Sequence, residues 1–172
     1  MSVTSDILKL KKEKNAVILA HYYVDEDVQE VADYVGDSFY LSKVATGVSQ
    51  DIIVFAGVEF MGESAKILNP GKRVLMPEPG ADCPMAHMAT KEEILKMREQ
   101  YDDLAVVCYI NSTAELKTYS DVCVTSSNAV KIVKNLPNKN IFFIPDQNLG
   151  RFVAKQVPEK NIKLLQGGCP IH

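Results

Sequence analysis

The stretch Ala16-Val17-Ile18-Leu19-Ala20 decides the fold, because it is apolar at every position and is followed directly by a histidine, His21. An apolar run without alternation is typical of a strand that is covered on both faces. Five further runs share this character, and stretches that suit helices separate them. The strands are predicted at 52–56, 73–76, 104–110, 140–144 and 162–165, and the helices at 27–34, 38–48, 60–68, 91–100, 126–136 and 149–156. This alternation predicts parallel α/β sheets with right-handed crossovers.

The sequence resembles itself at an offset of about 88 residues. The aligned pairs are Ala20 with Cys108, His21 with Tyr109, Tyr23 with Asn111, and Ser38 with Ser126; residues 52–55 then align with 141–144 at offset 89, and Cys83 with Cys169 at offset 86. Polar positions coincide as well as apolar ones, which favours a true repeat. The predicted fold class is α/β, with repeated three-layer α/β/α units, each containing a four-stranded parallel sheet, in a pseudo-symmetric arrangement. The predicted domains are residues 1–87 and 88–172.

Two of the four cysteines come at the end of the two copies. Cys83 lies in Gly-Ala-Asp-Cys-Pro-Met-Ala-His, residues 80–87, and Cys169 lies in Gly-Gly-Cys-Pro-Ile-His, residues 167–172. Each precedes a proline in a glycine-containing loop beyond a strand, where a scaffold often presents reactive groups. The spacing suggests that each copy gives one ligand to a shared site. Cys108 and Cys123 instead lie within apolar runs and are interpreted as small buried hydrophobic residues.

Composition excludes several classes of function. The 172 residues are 47% hydrophobic and 24% charged, with a net charge of −3, which is ordinary for a globular protein. No basic stripe indicates a nucleic-acid partner, and no apolar run reaches the ~20 residues that cross a bilayer. The first residues have no signal-peptide core, so we expect a cytoplasmic protein without a membrane partner. In that compartment, four cysteines are expected to be free, metal-bound or catalytic rather than paired in disulfides.

Polar side chains follow the strands of both copies at the point where each strand ends. They are His21, Tyr23 and Asp37-Ser38 in the first copy, and Tyr109, Asn111 and Thr125-Ser126 in the second. Open parallel sheets bind ligands beyond the carboxyl ends of their strands. These edges are therefore the predicted binding sites, and they converge on one cleft if the two copies face each other.

Some of these residues also have plainer interpretations. Ser38 and Ser126 each precede a predicted helix, so each can serve as an N-cap, although a helix N-terminus also attracts anions. Asn111 can belong to simple turn chemistry, and His21 can be a hydrogen-bonded histidine of the core. The sequence alone leaves these alternatives open.

Eight short motifs run in order from about residue 7 to the last residue. They are His21-Tyr22-Tyr23, Val35-Gly36-Asp37-Ser38, Gly57-Val58-Glu59-Phe60-Met61, Ile67-Leu68-Asn69-Pro70, Cys83-Pro84-Met85-Ala86, Tyr109-Ile110-Asn111-Ser112-Thr113, Thr125-Ser126-Ser127-Asn128-Ala129 and Pro145-Asp146-Gln147-Asn148-Leu149-Gly150. Together they resemble the motifs of the quinolinate synthases, a bacterial enzyme family of de novo NAD biosynthesis. The resemblance implies a transferase that condenses iminoaspartate with dihydroxyacetone phosphate to quinolinate, with L-aspartate oxidase as a source of iminoaspartate.

The resemblance also implies a cofactor and a domain plan. The family places three homologous α/β domains around an oxygen-sensitive [4Fe–4S] cluster, which takes one cysteine from each domain and keeps its fourth iron open to substrate. Cys83 and Cys169 match the first two of these ligands. Thiolates are the usual ligands of such clusters, and the open iron would act as a Lewis acid.

Roles for individual residues follow from the same resemblance. Tyr23 matches the acid–base tyrosine of the family. Tyr109, which we also count as catalytic, and Asn111 match residues that orient intermediates near the open iron. Val24 stands where the family more often has Gln, which affects only that local contact. The matches to residues that hold substrate carboxylate or phosphate groups are His21, Ser38 and Ser126.

The third family domain, with its cysteine and a His-Pro-Glu-Cys motif, has no counterpart in these 172 residues. The leading hypothesis is therefore the first two domains of a quinolinate synthase, inactive or nearly so alone. Two alternatives stay open. One is a standalone α/β module that binds dicarboxylates or phosphates through Ser38 and Ser126, and the other is a subunit that another chain completes.

Overall fold

The chain divides into two compact units, Met1–Asp82 and Cys83–His172. The computed structural model describes residues 2–169, so the end of the second cysteine motif, residues 170–172, lies outside the described residues. The predicted boundary after residue 87 falls a few residues beyond this division, at the end of a 3-10 helix, Pro84–His87. Among residues 2–169, no helix is long and apolar enough to cross a membrane.

The first unit has a four-stranded parallel sheet with strand order β2-β1-β3-β4. Strand β1 lies at an interior position, and its residues from Val17 to His21 are buried. Its elements are α1 (Val3–Glu13), β1 (Ala16–His21), α2 (Glu26–Val31), β2 (Tyr34–Gly36), α3 (Ser38–Gly47), β3 (Ile52–Ala56), α4 (Glu59–Leu68) and β4 (Arg73–Leu75).

The second unit repeats this topology, with strand order β6-β5-β7-β8 and parallel pairing throughout. Strand β5 is buried along its whole length. After the 3-10 helix, its elements are α5 (Lys91–Gln100), β5 (Leu104–Tyr109), α6 (Ala114–Thr118), β6 (Val122–Val124), α7 (Ala129–Asn135), β7 (Asn140–Ile144), α8 (Gln147–Gln156) and β8 (Asn161–Leu164).

Helices cover both faces of the second sheet. Successive side chains of β5 enter two separate core clusters: Val107 packs in the cluster of Val133 from α7, and Val106 packs in the cluster of Ile94 from α5. Each fully buried side chain of this kind contributes about 1.5–3 kcal/mol to folding. The three-layer α/β/α units and their four-stranded parallel sheets are therefore confirmed, and two covered faces explain why the strands are apolar without alternation.

The repeat keeps an offset of 88 residues through the strands. Ala16 pairs with Ile52 in the first sheet, and Leu104 pairs with Asn140 in the second. The predicted slip to 89 at the third strand is wrong. A wholly apolar strand has no alternation of apolar and polar residues. The two copies can therefore be aligned one residue out of register and still match apolar residues with apolar residues.

An aspartate fastens the second strand of each unit to the first. The Asp33 carboxylate accepts a hydrogen bond from the Ile18 backbone N–H at 2.8 Å and from Lys11 Nζ at 2.9 Å, while the Asp33 N–H donates to the Ile18 carbonyl at 2.9 Å. The second unit has the same contacts at 2.7, 2.9 and 2.9 Å, made by Asp121 with Val106 and Arg98. The repeat thus extends to polar contacts that hold the sheet together.

Local hydrogen bonds shift two predicted helices. The helix predicted at 27–34 ends at Val31, because Ala32 is extended (φ −74°, ψ 148°) and leads into β2. The helix predicted at 126–136 begins only at Ala129, because the Thr125 N–H donates to Asn128 Oδ1 at 2.7 Å and closes a turn there. Two helices were not predicted: α1, which has no buried residue, and the five-residue α6.

Candidate functional site

His21 ends β1 and lies at the carboxyl edge of the first sheet, where it is only 6% exposed. Its Nδ1 atom accepts a hydrogen bond from the Tyr23 backbone N–H at 3.2 Å. A neutral imidazole carries one N–H, so this bond leaves Nε2 as the donor. Burial lowers the pKa of His21 from its ordinary value of 6.5, and the Asp37 carboxylate opposes that shift. The ring is therefore a neutral hydrogen-bond donor at pH 7.

The rings of two tyrosines contact this histidine, Tyr22 stacked on it and Tyr23 tilted against it. The His21 ring lies 4.5 Å from the Tyr22 ring and 4.7 Å from the Tyr23 ring, between centroids. The Tyr23 side chain is 69% exposed, so its phenol is open to solvent at the sheet edge. A hydrogen bond with Tyr23, followed by smaller effects, raises the pKa of Tyr22 from its ordinary value of 10.0. The structure thus brings His21 and Tyr23 together, as the strand end predicts.

Ser38 is the first residue of α3 rather than its N-cap. The cap is Asp37, whose carboxylate accepts a hydrogen bond from the Tyr40 N–H at 2.7 Å. The alternative of Ser38 as an N-cap is therefore wrong, because the helix begins at Ser38 itself and Asp37 occupies the cap position. Ser38 stays at the carboxyl edge, since Gly36, two residues before it, pairs with His21 in the sheet.

Tyr109 and Asn111 occupy the matching edge of the second unit. Tyr109 ends β5 and is buried, and its carbonyl accepts a hydrogen bond from the Ser112 hydroxyl at 2.8 Å. The Oδ1 atom of Asn111 is buried and has no hydrogen-bond partner among the residues that the structure describes. A buried acceptor without a partner costs about 1–3 kcal/mol, so a ligand that donates to it would recover that loss.

Ser126 lies in the exposed turn before α7, and Asn128 is the N-cap of that helix. The alternative of Ser126 as an N-cap is therefore wrong as well. The side chain instead lines a pocket of about 290 Å³. The residues that line this pocket are Tyr109, Ser126, Asp146, Asn148 and Leu149. Two of the predicted site residues of the second unit, Tyr109 and Ser126, thus share one concavity.

Asp146 is a residue of this pocket that the sequence did not single out. It is 1% exposed, follows β7 after one proline, Pro145, and is the N-cap of α8, where its carboxylate accepts a hydrogen bond from the Asn148 N–H at 2.8 Å. The sequence does carry a signal for its position, because an acidic residue just beyond a buried parallel strand lies at the ligand-binding edge.

Both cysteines belong to the second unit. Cys83 and Cys169 are half-buried, neither is in a disulfide, and each packs against the core cluster that contains Met85 and Tyr109. The loop before Cys169 is held by a hydrogen bond from the Gln147 N–H to the Gly167 carbonyl at 2.9 Å. A Cβ atom at Gly168 would lie 3.2 Å from Asp146 Oδ1, so a bare glycine lets the loop approach the pocket.

The same anchor occurs in the first unit. The Glu59 N–H, at the start of α4, donates to the Ala81 carbonyl at 2.9 Å, two residues before Cys83. In each unit, the helix that connects the third strand to the fourth therefore holds the loop that leads to a cysteine. The contact is made by the N-terminus of that helix. This arrangement explains why the cysteine offset is 86 while the strands keep 88: the loop of the second copy is two residues shorter.

The fold and these edges define a class, namely duplicated parallel α/β proteins that carry polar residues and thiols at the carboxyl ends of their sheets. Residues 5–172 match the family model described as quinolinate synthetase A protein, and the chain belongs to that family. It is 65% identical over 166 residues to a quinolinate synthase of Fusobacterium nucleatum, covering 96% of this chain and 56% of that protein.

Other relatives agree with this assignment. The chain is 57% identical over 170 residues to a quinolinate synthase of Caldicellulosiruptor saccharolyticus, covering 99% of this chain and 56% of the relative. It is 54% identical over 172 residues to one of Clostridium perfringens, covering 100% of this chain and 57% of the relative. The predicted family is confirmed, and the chain spans little more than half the length of these relatives.

Proposed function

We propose that this chain provides the first two α/β domains of a quinolinate synthase, which condenses iminoaspartate with dihydroxyacetone phosphate to quinolinate in de novo NAD biosynthesis. The observation that carries the proposal is the 65% identity to the Fusobacterium nucleatum quinolinate synthase over 96% of this chain. Because the chain covers 56% of that relative, we expect it to lack activity by itself. The domains proposed are residues 1–87 and 88–172.

Cys83 and Cys169 are proposed as two of three ligands of a [4Fe–4S] cluster. The chemistry of the donors fits, because both cysteines are half-buried, lie in loops and are outside disulfides, and thiolates hold such clusters. The close approach at Gly168 places the Cys169 loop beside the pocket of Tyr109. When bound, a cluster with an open iron supplies Lewis acidity.

The remaining site residues are proposed to bind substrate and transfer protons. Tyr23 is the proposed acid–base group, because its exposed ring contacts a histidine whose orientation is fixed. Tyr109 and Asn111 are proposed to orient intermediates, and the buried Oδ1 of Asn111 would accept a hydrogen bond from a substrate hydroxyl or amine. The residues proposed to hold carboxylate or phosphate groups are His21, Ser38 and Ser126.

The tautomer of His21 supports its proposed role in binding an anionic group. Its Nε2–H is a donor of fixed direction, which suits an anionic oxygen. The neighbouring Asp37 carboxylate makes the edge less favourable for anions, so the serine hydroxyls and the helix terminus are needed to offset it. The proposal also includes L-aspartate oxidase as the source of iminoaspartate, and a cytoplasmic location, in keeping with four cysteines that are outside disulfides.

The proposal is tested by restoring the missing length. A hybrid protein would join this chain to the part of the Fusobacterium nucleatum quinolinate synthase that the chain does not match. Both the chain and the hybrid would be reconstituted anaerobically with iron and sulfide, and quinolinate formation would be measured. We expect activity from the hybrid alone. Full activity from the 172-residue chain, or none from a folded hybrid that holds a cluster, would overturn the proposal.

Calorimetry distinguishes the proposed function from that of a standalone binding module. The metal-free chain would be titrated with malate and with dihydroxyacetone phosphate. Weak or absent binding agrees with the proposed function, because two of its three domains and no cluster are present. Tight binding that depends on Ser38 and Ser126, together with an inactive hybrid, would instead favour a binding module.

A further inference from the structure

Cys108 and Cys123 are partners across two neighbouring parallel strands. Cys108 of β5 is in register with Cys123 of β6. Adjacent strands lie ~4.8 Å apart, and residues in register point to the same face of the sheet. Accordingly, Cys108 belongs to the core cluster that contains Ile94, and Cys123 packs against that cluster. Both thiols are free, and the proposed function uses neither of them.

We propose that Cys108 and Cys123 form a reversible disulfide, which makes the β5–β6 edge of the second unit an oxidation-sensitive site. Disulfides join Cα atoms that lie ~4.4–6.8 Å apart, and the strand spacing falls within that range. Register already holds the two residues side by side, so the bond requires the two Cβ atoms to approach each other only locally. The inference is independent of the proposed function.

Cys123 is the thiol that reacts first. It is half-buried and lies on β6, the edge strand of its sheet, whereas Cys108 is fully buried. A hydrogen bond from Cys108 and, to a lesser degree, the Lys117 charge lower the pKa of Cys123 to about 7, although burial opposes them. The same contact raises the pKa of Cys108. Thiolates are the reactive form, so oxidants attack Cys123 while Cys108 stays protonated.

The oxidation balances with a peroxide as the oxidant. The Cys123 thiolate attacks one peroxide oxygen, the O–O bond breaks, and a sulfenic acid and hydroxide form. The Cys108 sulfur then attacks the sulfenic sulfur, the S–S bond forms, and the sulfenic oxygen leaves as water with the Cys108 proton. In total, two thiols lose two electrons and two protons, and one peroxide becomes two waters.

Oxidation also reaches the candidate site. The Cys108 Sγ atom lies 3.4 Å from the Tyr109 carbonyl oxygen and is also within hydrogen-bond reach of Cys123. The thiol has one hydrogen, so it donates to only one of these two groups at a time. A disulfide has no such hydrogen, so both contacts end. Tyr109 then keeps the hydrogen bond from the Ser112 hydroxyl.

Peptide mapping tests the proposal directly, because trypsin puts the four cysteines into four different peptides: 74–91, 99–117, 118–131 and 164–172. The reduced full chain would be treated with one equivalent of hydrogen peroxide, alkylated and digested. We expect a linked peptide, 99–117 with 118–131, two hydrogens lighter than the sum of its parts and lost on treatment with dithiothreitol. Recovery of these two peptides unlinked, with Cys123 overoxidised or alkylated, would overturn the proposal.

Two controls separate register from chance encounter. The same chain unfolded in urea should give much less of this linked peptide, because only the folded sheet pairs the two residues. Cys108→Ser should accumulate oxidised Cys123 without any link. Equal yield of the 99–117/118–131 link in folded and unfolded chain would contradict a role for the sheet.

Discussion

The Nδ1 atom of His21 accepts a hydrogen bond from the backbone N–H of Tyr23 at 3.2 Å. One bond therefore fixes the ring of a proposed substrate-binding residue and the backbone of the proposed acid–base residue. His21 ends the strand and Tyr23 lies in the loop that follows, so this bond ties the two together. The histidine is buried and the tyrosine is exposed. Their chemistry depends on the histidine staying neutral.

We expect His21 to titrate below 6.5, because burial disfavours its charged form. The unfolded chain then binds a proton more readily, so the first unit loses stability as the pH falls below about 6.5. The measurement is NMR titration of the histidine ring protons, together with thermal unfolding across the same range. His21→Asn, which keeps an acceptor but cannot titrate, should flatten this part of the pH dependence. A His21 midpoint at or above 6.5 would contradict the account.

Asp33→Asn and Asp121→Asn should each destabilise one unit by about 1–3 kcal/mol, because each removes a charged partner from a strand-fastening network. Hydrogen exchange distinguishes the effects of the two variants. Asp33→Asn should accelerate exchange in β1 and β2, and Asp121→Asn in β5 and β6. The control Glu99→Gln, at an exposed position, should change stability by less than about 0.5 kcal/mol. Equal acceleration of both sheets by either variant would count against independent networks.

Gly150→Ala should destabilise the chain more than Gly62→Ala, although the two glycines are equivalent in the repeat. A Cβ atom at Gly150 would clash with Leu164 and lie 3.0 Å from the buried Phe143 ring, whereas one at Gly62 meets the flexible end of Met76. Overpacking of this kind costs about 1–3 kcal/mol. Gly47→Ala meets nothing within 4 Å and lies in a helix, so it should be neutral or stabilising. Denaturant unfolding of the three variants gives the order, and the reverse order would refute it.

Much of the fold could be predicted from the sequence, because strands covered on both faces leave unbroken apolar runs. The same property hid the register: nothing in Ile52–Ala56 alternates, so its alignment with the second copy slipped by one residue. Helix α1 was missed because most of its residues are polar and none of them is buried. The end of α2 at the extended Ala32 and the start of α7 after the Thr125–Asn128 turn depend on local backbone geometry that an apolar pattern does not reveal.

The candidate site could be predicted where the sheet topology alone determines which residues lie at a carboxyl edge. The strand ends placed His21, Tyr23, Tyr109 and Asn111 correctly at carboxyl edges. The capping of α3 by Asp37 and the burial of Asp146 could not be predicted, because they depend on which of several neighbouring oxygens reaches an N–H group. The pairing of Cys108 with Cys123 also required the register, since two apolar runs do not reveal which residues are opposite each other.

Tyr23→Phe should lower the rate of quinolinate formation by the hybrid protein about 10²–10⁴-fold, because it removes the proposed acid–base hydroxyl and leaves the ring contact with His21 in place. The matched control is Tyr34→Phe, an exposed tyrosine of β2, which should keep the rate. Steady-state kinetics measure both. Similar rates for Tyr23→Phe and the unchanged hybrid would remove Tyr23 from catalysis.

Cys83 and Cys169 are proposed as ligands of one iron–sulfur cluster, and the iron and sulfide content of the reconstituted protein tests this proposal. The hybrid protein, Cys83→Ser, Cys169→Ser and the control Cys123→Ser would be reconstituted anaerobically, and each would be analysed for iron, sulfide and its EPR spectrum. We predict a full cluster in the hybrid and in Cys123→Ser, and its loss in Cys83→Ser and in Cys169→Ser. A full cluster in the double variant Cys83→Ser/Cys169→Ser would contradict the account.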